Sequence, residues 1–214
     1  MTVEKFEGRV VLVNHPLVMH KLTIMRDKDT PSKDFRELVR ELTLFEGYEA
    51  TQDLPLRNKE INTPLCPMTG EELARKVALV PILRAGLGMV DGMLELIPDA
   101  RIGHLGMYRD EVTRKPVEYY AKMPKDIADR DVIVVDPMLA TGGSATAAIE
   151  YLRELGVKNI KLMVLVAAPY GIEEVLKADK DIRIFTCAID DGLNDDAYII
   201  PGLGDAGDRI FGTL

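Results

Sequence analysis

The run Val132-Ile-Val-Val135 constrains this chain more than any other segment. An unbroken β-branched stretch of that length reads as a strand buried on both faces, the signature of a parallel sheet. It leads without a spacer into Asp136-Pro-Met-Leu-Ala-Thr-Gly-Gly-Ser144, then into Ala145-Thr-Ala-Ala-Ile-Glu-Tyr-Leu-Arg-Glu-Leu-Gly156. The last piece has apolar positions at helical spacing and a glycine stop. Strand, Gly-rich turn and helix form a cradle for phosphate. Gly142 and Gly143 let the backbone approach, Thr141 and Ser144 supply hydroxyl donors, and the helix start adds partial positive charge. Asp136 suits a sugar hydroxyl better than a phosphate, so the pairing points to a phosphorylated sugar. An ordinary Gly-rich βα turn is the bland alternative.

Two further segments carry the same kind of information. Tyr198-Ile-Ile-Pro-Gly-Leu-Gly-Asp-Ala-Gly-Asp-Arg209 is crowded with glycine and leaves little room for a regular element. Such a loop displays main-chain N–H and C=O groups, which suit the flat hydrogen-bonding edge of a nucleobase. Leu79-Val-Pro-Ile-Leu-Arg-Ala-Gly-Leu-Gly-Met-Val-Asp-Gly-Met93 is a second strand, tight turn and helix start. It places Arg84 at a strand's C-terminal end, where ligands collect in open α/β sheets. Small Ala85 and Gly86 are expected to admit an anion to the backbone. Met107–Pro124 has two extended pieces around a polar tip, as in a protruding hairpin.

These segments, in this order, resemble the type I phosphoribosyltransferases. Asp136–Ser144 resembles their phosphoribosyl-diphosphate (PRPP) loop, and Pro137, standing where most of that superfamily has a second acid, matches the uracil phosphoribosyltransferase version. Tyr198–Arg209 resembles that family's uracil loop, and Val13–Asp27 its opening segment. The resemblance implies PRPP contacts from Arg84, Arg109, Asp136, Pro137, Met138, Leu139, Ala140, Thr141, Gly142, Gly143, Ser144 and Asp205. It implies uracil contacts from Ile199, Gly204, Asp205 and Ala206, with Asp136 and Asp205 the candidate catalytic acids. The Arg84 turn would bind diphosphate and often carries a cis non-proline peptide in that superfamily. Also implied are Mg²⁺ held mainly through PRPP and water with no direct protein ligand set, a GTP effector, and a homodimer or homotetramer. A phosphoribosyltransferase for another base and a PRPP-sensing, RNA-binding pyrimidine regulator are the alternatives.

The rest of the chain agrees. Strands are expected at Val77–Ile82, Ile102–Met107, Val132–Val135, Ile160–Ala167 and Ile182–Ala188. Helices are expected from about Ser32 and at about Leu87–Leu96, Ser144–Leu155 and Ile172–Lys177. The alternation predicts an α/β fold of type I phosphoribosyltransferase kind: a mostly parallel sheet flanked by helices, with a hairpin arm and a C-terminal hood, in one domain over 1–214. Pro55–Lys76 reads as irregular. A net charge of −8 argues against a general nucleic-acid binder. No apolar run reaches membrane-spanning length and no signal-peptide pattern opens the chain, so a cytoplasmic location is expected. Cys66 and Cys187 lack CxxC spacing, and His15, His20 and His104 lack metal-ligand spacing. Gly202-Leu-Gly-Asp-Ala-Gly207 spells GxGxxG, but too little chain follows it to build a dinucleotide-binding unit.

Overall fold

The computed structural model describes Phe6 and residues 8–109 and 116–213, apart from the side chains of Tyr108, Arg109 and Pro116. The principal parallel strands are β1 (Val10–Leu12), β4 (Val77–Leu83), β6 (His104–Arg109), β8 (Asp131–Val135), β10 (Asn159–Ala167) and β11 (Arg183–Ile189). They lie in the order β1-β11-β10-β8-β4-β6, and β7 (Pro116–Lys122) closes the edge antiparallel to β6. Short β5 (Arg101–Ile102) pairs with β4, and β9 (Met138–Leu139) with β10. The helices are α1 (Pro16–Arg26), α2 (Ser32–Ala50), α3 (Leu87–Leu96), α4 (Gly143–Glu154), α5 (Pro169–Ala178) and α6 (Ala206–Phe211). Among the described residues no helix is long and apolar enough to cross a membrane.

The two-residue period of a strand divides the core between the faces of the sheet. Leu79, Ile133, Val135 and Met163 pack with α1, α2, α3 and α6. Ala78, Val80, Val132, Val134 and Leu162 pack with α4 and α5. Alternation slips once, in β10, where Leu165 and Val166 face the same side. The β10–β11 register keeps one offset throughout, Val164 with Thr186 and Val166 with Ala188, with Leu165 and Cys187 left out of the ladder. The freed Val164 N–H donates to Glu46 Oε1 at 3.1 Å from α2. Glu46 is fully buried, and burial raises its pKa well above the usual carboxylate range. Its Oε1 therefore serves the sheet as an acceptor, while Oε2 is buried without a partner.

Local chemistry sets the helix boundaries. Pro16 and Pro169 occupy first-turn positions, where the missing N–H costs nothing. His15 caps α1, its Nδ1 accepting from the Leu17 N–H, and stacks on Phe45. Gly156 ends α4 with φ of 85°.

Several expectations require correction. Pro55–Lys76 is not irregular: β2 (Leu56–Asn62) and β3 (Pro67–Leu73) form an antiparallel hairpin that stands off the body. Its side chains are almost all exposed, so no apolar alternation announces it. Ile102–Met107 is divided at Gly103, whose N–H donates to Leu79 O while a Cβ there would lie 2.4 Å from Met123 Sδ. The arm is also less detached than its sequence implies, because β6 joins the main sheet through Ile82–Leu105 and Leu83–Gly106 pairs. Its polar tip, residues 110–115, lies outside the described residues. Tyr198–Arg209 contains regular structure after all. Ile199–Ile200 is β13, paired with β12 (Gly192–Leu193), and Asp205 caps α6 by accepting from the Asp208 N–H at 2.9 Å.

Candidate active site

Parallel strands end together, so the turns that follow β4 and β8 open on one edge of the sheet. The β4 turn comes first. The Leu83–Arg84 peptide is cis, as the resemblance implied, and so is Ile200–Pro201 in the C-terminal loop. In the fold Gly86 also has a packing role that its sequence did not announce. A Cβ there would meet Val135 O at 2.4 Å and Ile82 O at 2.8 Å, so the missing side chain lets two turns of the protein pack together. Arg84 projects from this turn with its side chain 58% exposed.

The β8 turn is held by its neighbour in the sheet. Asp136 N–H donates to Met163 O at 3.1 Å, Val166 N–H to Pro137 O at 3.0 Å, and Ala168 N–H to Leu139 O at 2.8 Å. Pro137 and Leu139 are buried, so within the predicted PRPP segment they anchor the turn. Gly142 has φ of 82°, and a Cβ on it would lie 2.8 Å from Gly171 O in α5. Both its dihedral and its packing require glycine. The N–H groups of Gly142, Gly143 and Ser144 thus stand at the start of α4, beside Thr141. Thr146, one turn further, was not singled out in the sequence. Its buried Oγ1 has no hydrogen-bond partner, and with Thr141, Gly142 and Gly143 it lines a cavity of about 410 Å³.

The C-terminal loop meets both turns. Arg84 Nη2 donates to Asp208 Oδ1 at 3.3 Å, and a Cβ on Gly207 would lie 3.8 Å from Ala85 Cβ. Asp136 lies close enough to Asp205 to feel its charge. Burial first, and Asp205 second, raise the Asp136 pKa to about 7, opposed by a hydrogen bond from the Met138 backbone. The predicted base contacts behave unequally. Ile199 and Ala206 point their side chains into the core. Gly204 is exposed with φ of 79°. Asp205 is exposed, with Oδ1 engaged as the α6 cap. The Arg109 side chain lies outside the described residues.

Residues 11–213 match the family model described as uracil phosphoribosyltransferase. The chain belongs to the uracil phosphoribosyltransferase family. A Desulfitobacterium hafniense protein named uracil phosphoribosyltransferase is 61% identical over 207 residues, covering 96% of this chain and 99% of the relative. A Clostridium perfringens protein of the same name is 60% identical over the same shares. Among solved structures, the AQ2163 protein of Aquifex aeolicus aligns with a TM-score of 0.90 at 37% identity, covering 94% of this chain and 97% of that one. A Bacillus anthracis hypoxanthine-guanine phosphoribosyltransferase aligns with a TM-score of 0.52 at 14% identity over 74% of this chain and 80% of that one, a likeness of fold alone. Mostly parallel sheet, flanking helices and C-terminal hood are therefore those of the type I phosphoribosyltransferases.

Sequence reading did not single out several residues that the structure brings to these loops. Asp208 lay inside the Tyr198–Arg209 motif, but its partner Arg84 is 124 positions away. Arg26 lay inside the Val13–Asp27 segment without being singled out, and Asp190 carried no local signal; together they hold Gly202.

Proposed function

We propose that this chain transfers the 5-phosphoribosyl group of PRPP to N1 of uracil, giving UMP and diphosphate, as a step of pyrimidine salvage. One observation supports the reading above the rest: the Arg84, Asp136 and Asp205–Asp208 segments, remote in sequence, meet at one edge of the sheet. In this reading the turn from Asp136 to Ser144 holds the ribose 5-phosphate, and the N-terminal amides of α4 neutralise its charge. Arg84 takes the diphosphate, exchanging Asp208 for a more highly charged partner. Arg109 adds a second cation from the arm. Main-chain groups at Ile199 and Gly204–Ala206 read the uracil edge.

Displacement at C1 of the ribose develops positive charge on the ring and negative charge on the leaving group. Positioning and charge stabilisation supply the catalysis. Asp136 fixes the ribose hydroxyls, becoming a carboxylate when PRPP and its cation favour loss of the proton that burial otherwise holds up to about pH 7. Asp205 keeps one oxygen for its helix cap, which favours placing ribose and base over removing the N1 proton.

Mg²⁺ belongs to the proposal. The neighbouring carboxylates of Asp136 and Asp205 are hard oxygen donors that suit a hydrated cation bound chiefly to PRPP. Asp136 would hold its water shell, and the ion would neutralise charge on the departing diphosphate. The resemblance also carries into the proposal a GTP effector, a homodimer or homotetramer, one domain over 1–214 and a cytoplasmic location. Light scattering with and without GTP tests the first two.

The deciding experiment supplies PRPP and Mg²⁺ with uracil, cytosine, hypoxanthine, adenine or orotate and follows diphosphate release. Turnover with uracil is expected. Preference for another base would replace the reading.

A further inference from the structure

One glycine of the base loop is held on both sides by a pair of charged residues from distant parts of the chain. Arg26, in the last turn of α1, donates through Nη1 to Asp190 Oδ2 and through Nη2 to Asp190 Oδ1, each at 2.7 Å. The same Nη1 donates to the Gly202 carbonyl at 2.7 Å, and the Gly202 N–H donates to Asp190 Oδ2 at 2.8 Å. Gly202 thus has its donor and its acceptor engaged by a single ion pair, which fixes the peptides on either side of it. The pair is sheltered: the Asp190 side chain is 6% exposed and that of Arg26 23%. A bidentate guanidinium–carboxylate contact of this kind is directional as well as attractive. Asp190 is itself located by its N–H, which donates to Ala167 O at the end of β10 at 2.9 Å.

Gly202 is a pivot. Its φ is 60°, and a Cβ on it would fall 2.0 Å from Ile199 O, so only glycine lets the loop fold back on Ile199 here. The main-chain groups assigned to uracil lie on either side of it, at Ile199 and at Gly204–Ala206. A flat base edge read by main-chain donors and acceptors tolerates little misalignment, because hydrogen bonds weaken steeply with angle.

We propose that the Arg26–Asp190 pair is a positioning device for uracil recognition, setting the orientation of the base-reading main chain through Gly202 and leaving the phosphate turn untouched. The proposal rests on the assignment of uracil to Ile199 and Gly204–Ala206. Neither side chain touches the base; each acts through the Gly202 peptides.

Asp190→Asn tests it. The amide keeps the shape and one acceptor but cannot receive both guanidinium donors. In the folded variant the Michaelis constant for uracil is expected to rise about tenfold or more, while the PRPP dissociation constant, measured by calorimetry without uracil, stays within about twofold of wild type. Arg26→Lys keeps the charge but loses the fork, and is expected to give a smaller rise in the same constant alone. It carries the test should Asp190→Asn fold poorly. A pair that only braces the fold would lower the melting temperature and move both substrates' constants together, or neither. Either result in a folded variant overturns the proposal. Gly204→Ala separates this from the underlying assignment. If it raises the uracil constant and Asp190→Asn does not, only the positioning role falls. If it too leaves the uracil constant unchanged, the base assignment falls with it.

Discussion

Arg84 and Asp208, 124 positions apart in sequence, are joined by a hydrogen bond of 3.3 Å between the turn after β4 and helix α6. The contact links the segment assigned to diphosphate with the segment assigned to base. Arg84 is 58% and Asp208 32% exposed, so solvent screens the pair and it contributes little to stability, about 1 kcal/mol at most. A weak partner is one that a polyanion displaces at small cost.

Arg84→Gln should therefore weaken PRPP binding about tenfold or more while changing the melting temperature little. Asp208→Asn should leave PRPP binding unchanged or tighten it. Isothermal calorimetry and a thermal scan check both. Equal PRPP affinity in wild type and Arg84→Gln would remove Arg84 from the diphosphate site.

Asp136 gives a pH signature whose sign follows from its raised pKa. The folded protein holds this proton up to about pH 7, whereas an unfolded aspartate loses it near 3.8. The neutral acid is the form the fold favours. Its stabilisation is full below the unfolded value and is lost as pH rises through the window towards about 7. Asp136→Asn, permanently neutral, should lack that loss, and its melting temperature should gain on wild type between pH 5 and about 8. Its turnover should fall about tenfold or more, equivalent to ~1.4 kcal/mol. Parallel melting curves across this range would contradict the shifted group.

The turn assigned to the phosphate can be disturbed from behind. A Cβ on Gly171 in α5 would lie 2.5 Å from Ala140 O and 2.9 Å from Leu139 O. Gly171→Ala is expected to push the turn outward, raising the PRPP dissociation constant with a stability loss of about 1–3 kcal/mol from overpacking. Gly142→Val should cost stability as well as PRPP affinity, since its Cβ meets α5 in addition to the strained dihedral. An unchanged PRPP constant in folded Gly171→Ala would mean that the turn is not gripped by α5.

Base reading calls for a probe at Gly204. Ala206 is 4% exposed and packed in the core, so a larger residue there would test packing. Gly204 is open, with its nearest neighbour Arg209 Cδ at 3.8 Å from an added Cβ, yet its φ of 79° disfavours any side chain. Gly204→Ala should cost about 1 kcal/mol in stability and raise the uracil Michaelis constant with the PRPP constant unmoved. Steady-state kinetics with varied uracil, paired with PRPP calorimetry, decide it.

Glu46 makes the last prediction. Glu46→Ala leaves the Val164 N–H buried without its acceptor and should cost about 1–3 kcal/mol or more. Glu46→Gln keeps an acceptor oxygen for the Val164 N–H and should lie much closer to wild type in chemical denaturation.

The sequence by itself determined the parallel sheet, its principal helices and the Gly-rich turn after β8. Each of these is written in adjacent residues: the β-branched run at Val132–Val135, the period-3.6 stripe from Phe35 to Phe45, and glycines where a backbone reversal leaves no alternative. It also pointed to a phosphate and a flat base as the ligand classes, since Thr141–Ser144 and the glycines of the C-terminal loop display their groups locally. Tertiary structure alone decided which groups meet. The β2–β3 hairpin buries too little to leave an apolar period. Gly86 exists for Val135, and Gly142 for Gly171, contacts that no local pattern encodes. The break in alternation at Leu165–Val166 has no local mark, and Glu46 meets the nearby Val164 N–H from another layer. Arg84 with Asp208, and Arg26 with Asp190, are joined by chain closure over more than a hundred residues. Nothing local marks such partners, because the free energy that selects them comes from burial and directional hydrogen bonding in the assembled fold.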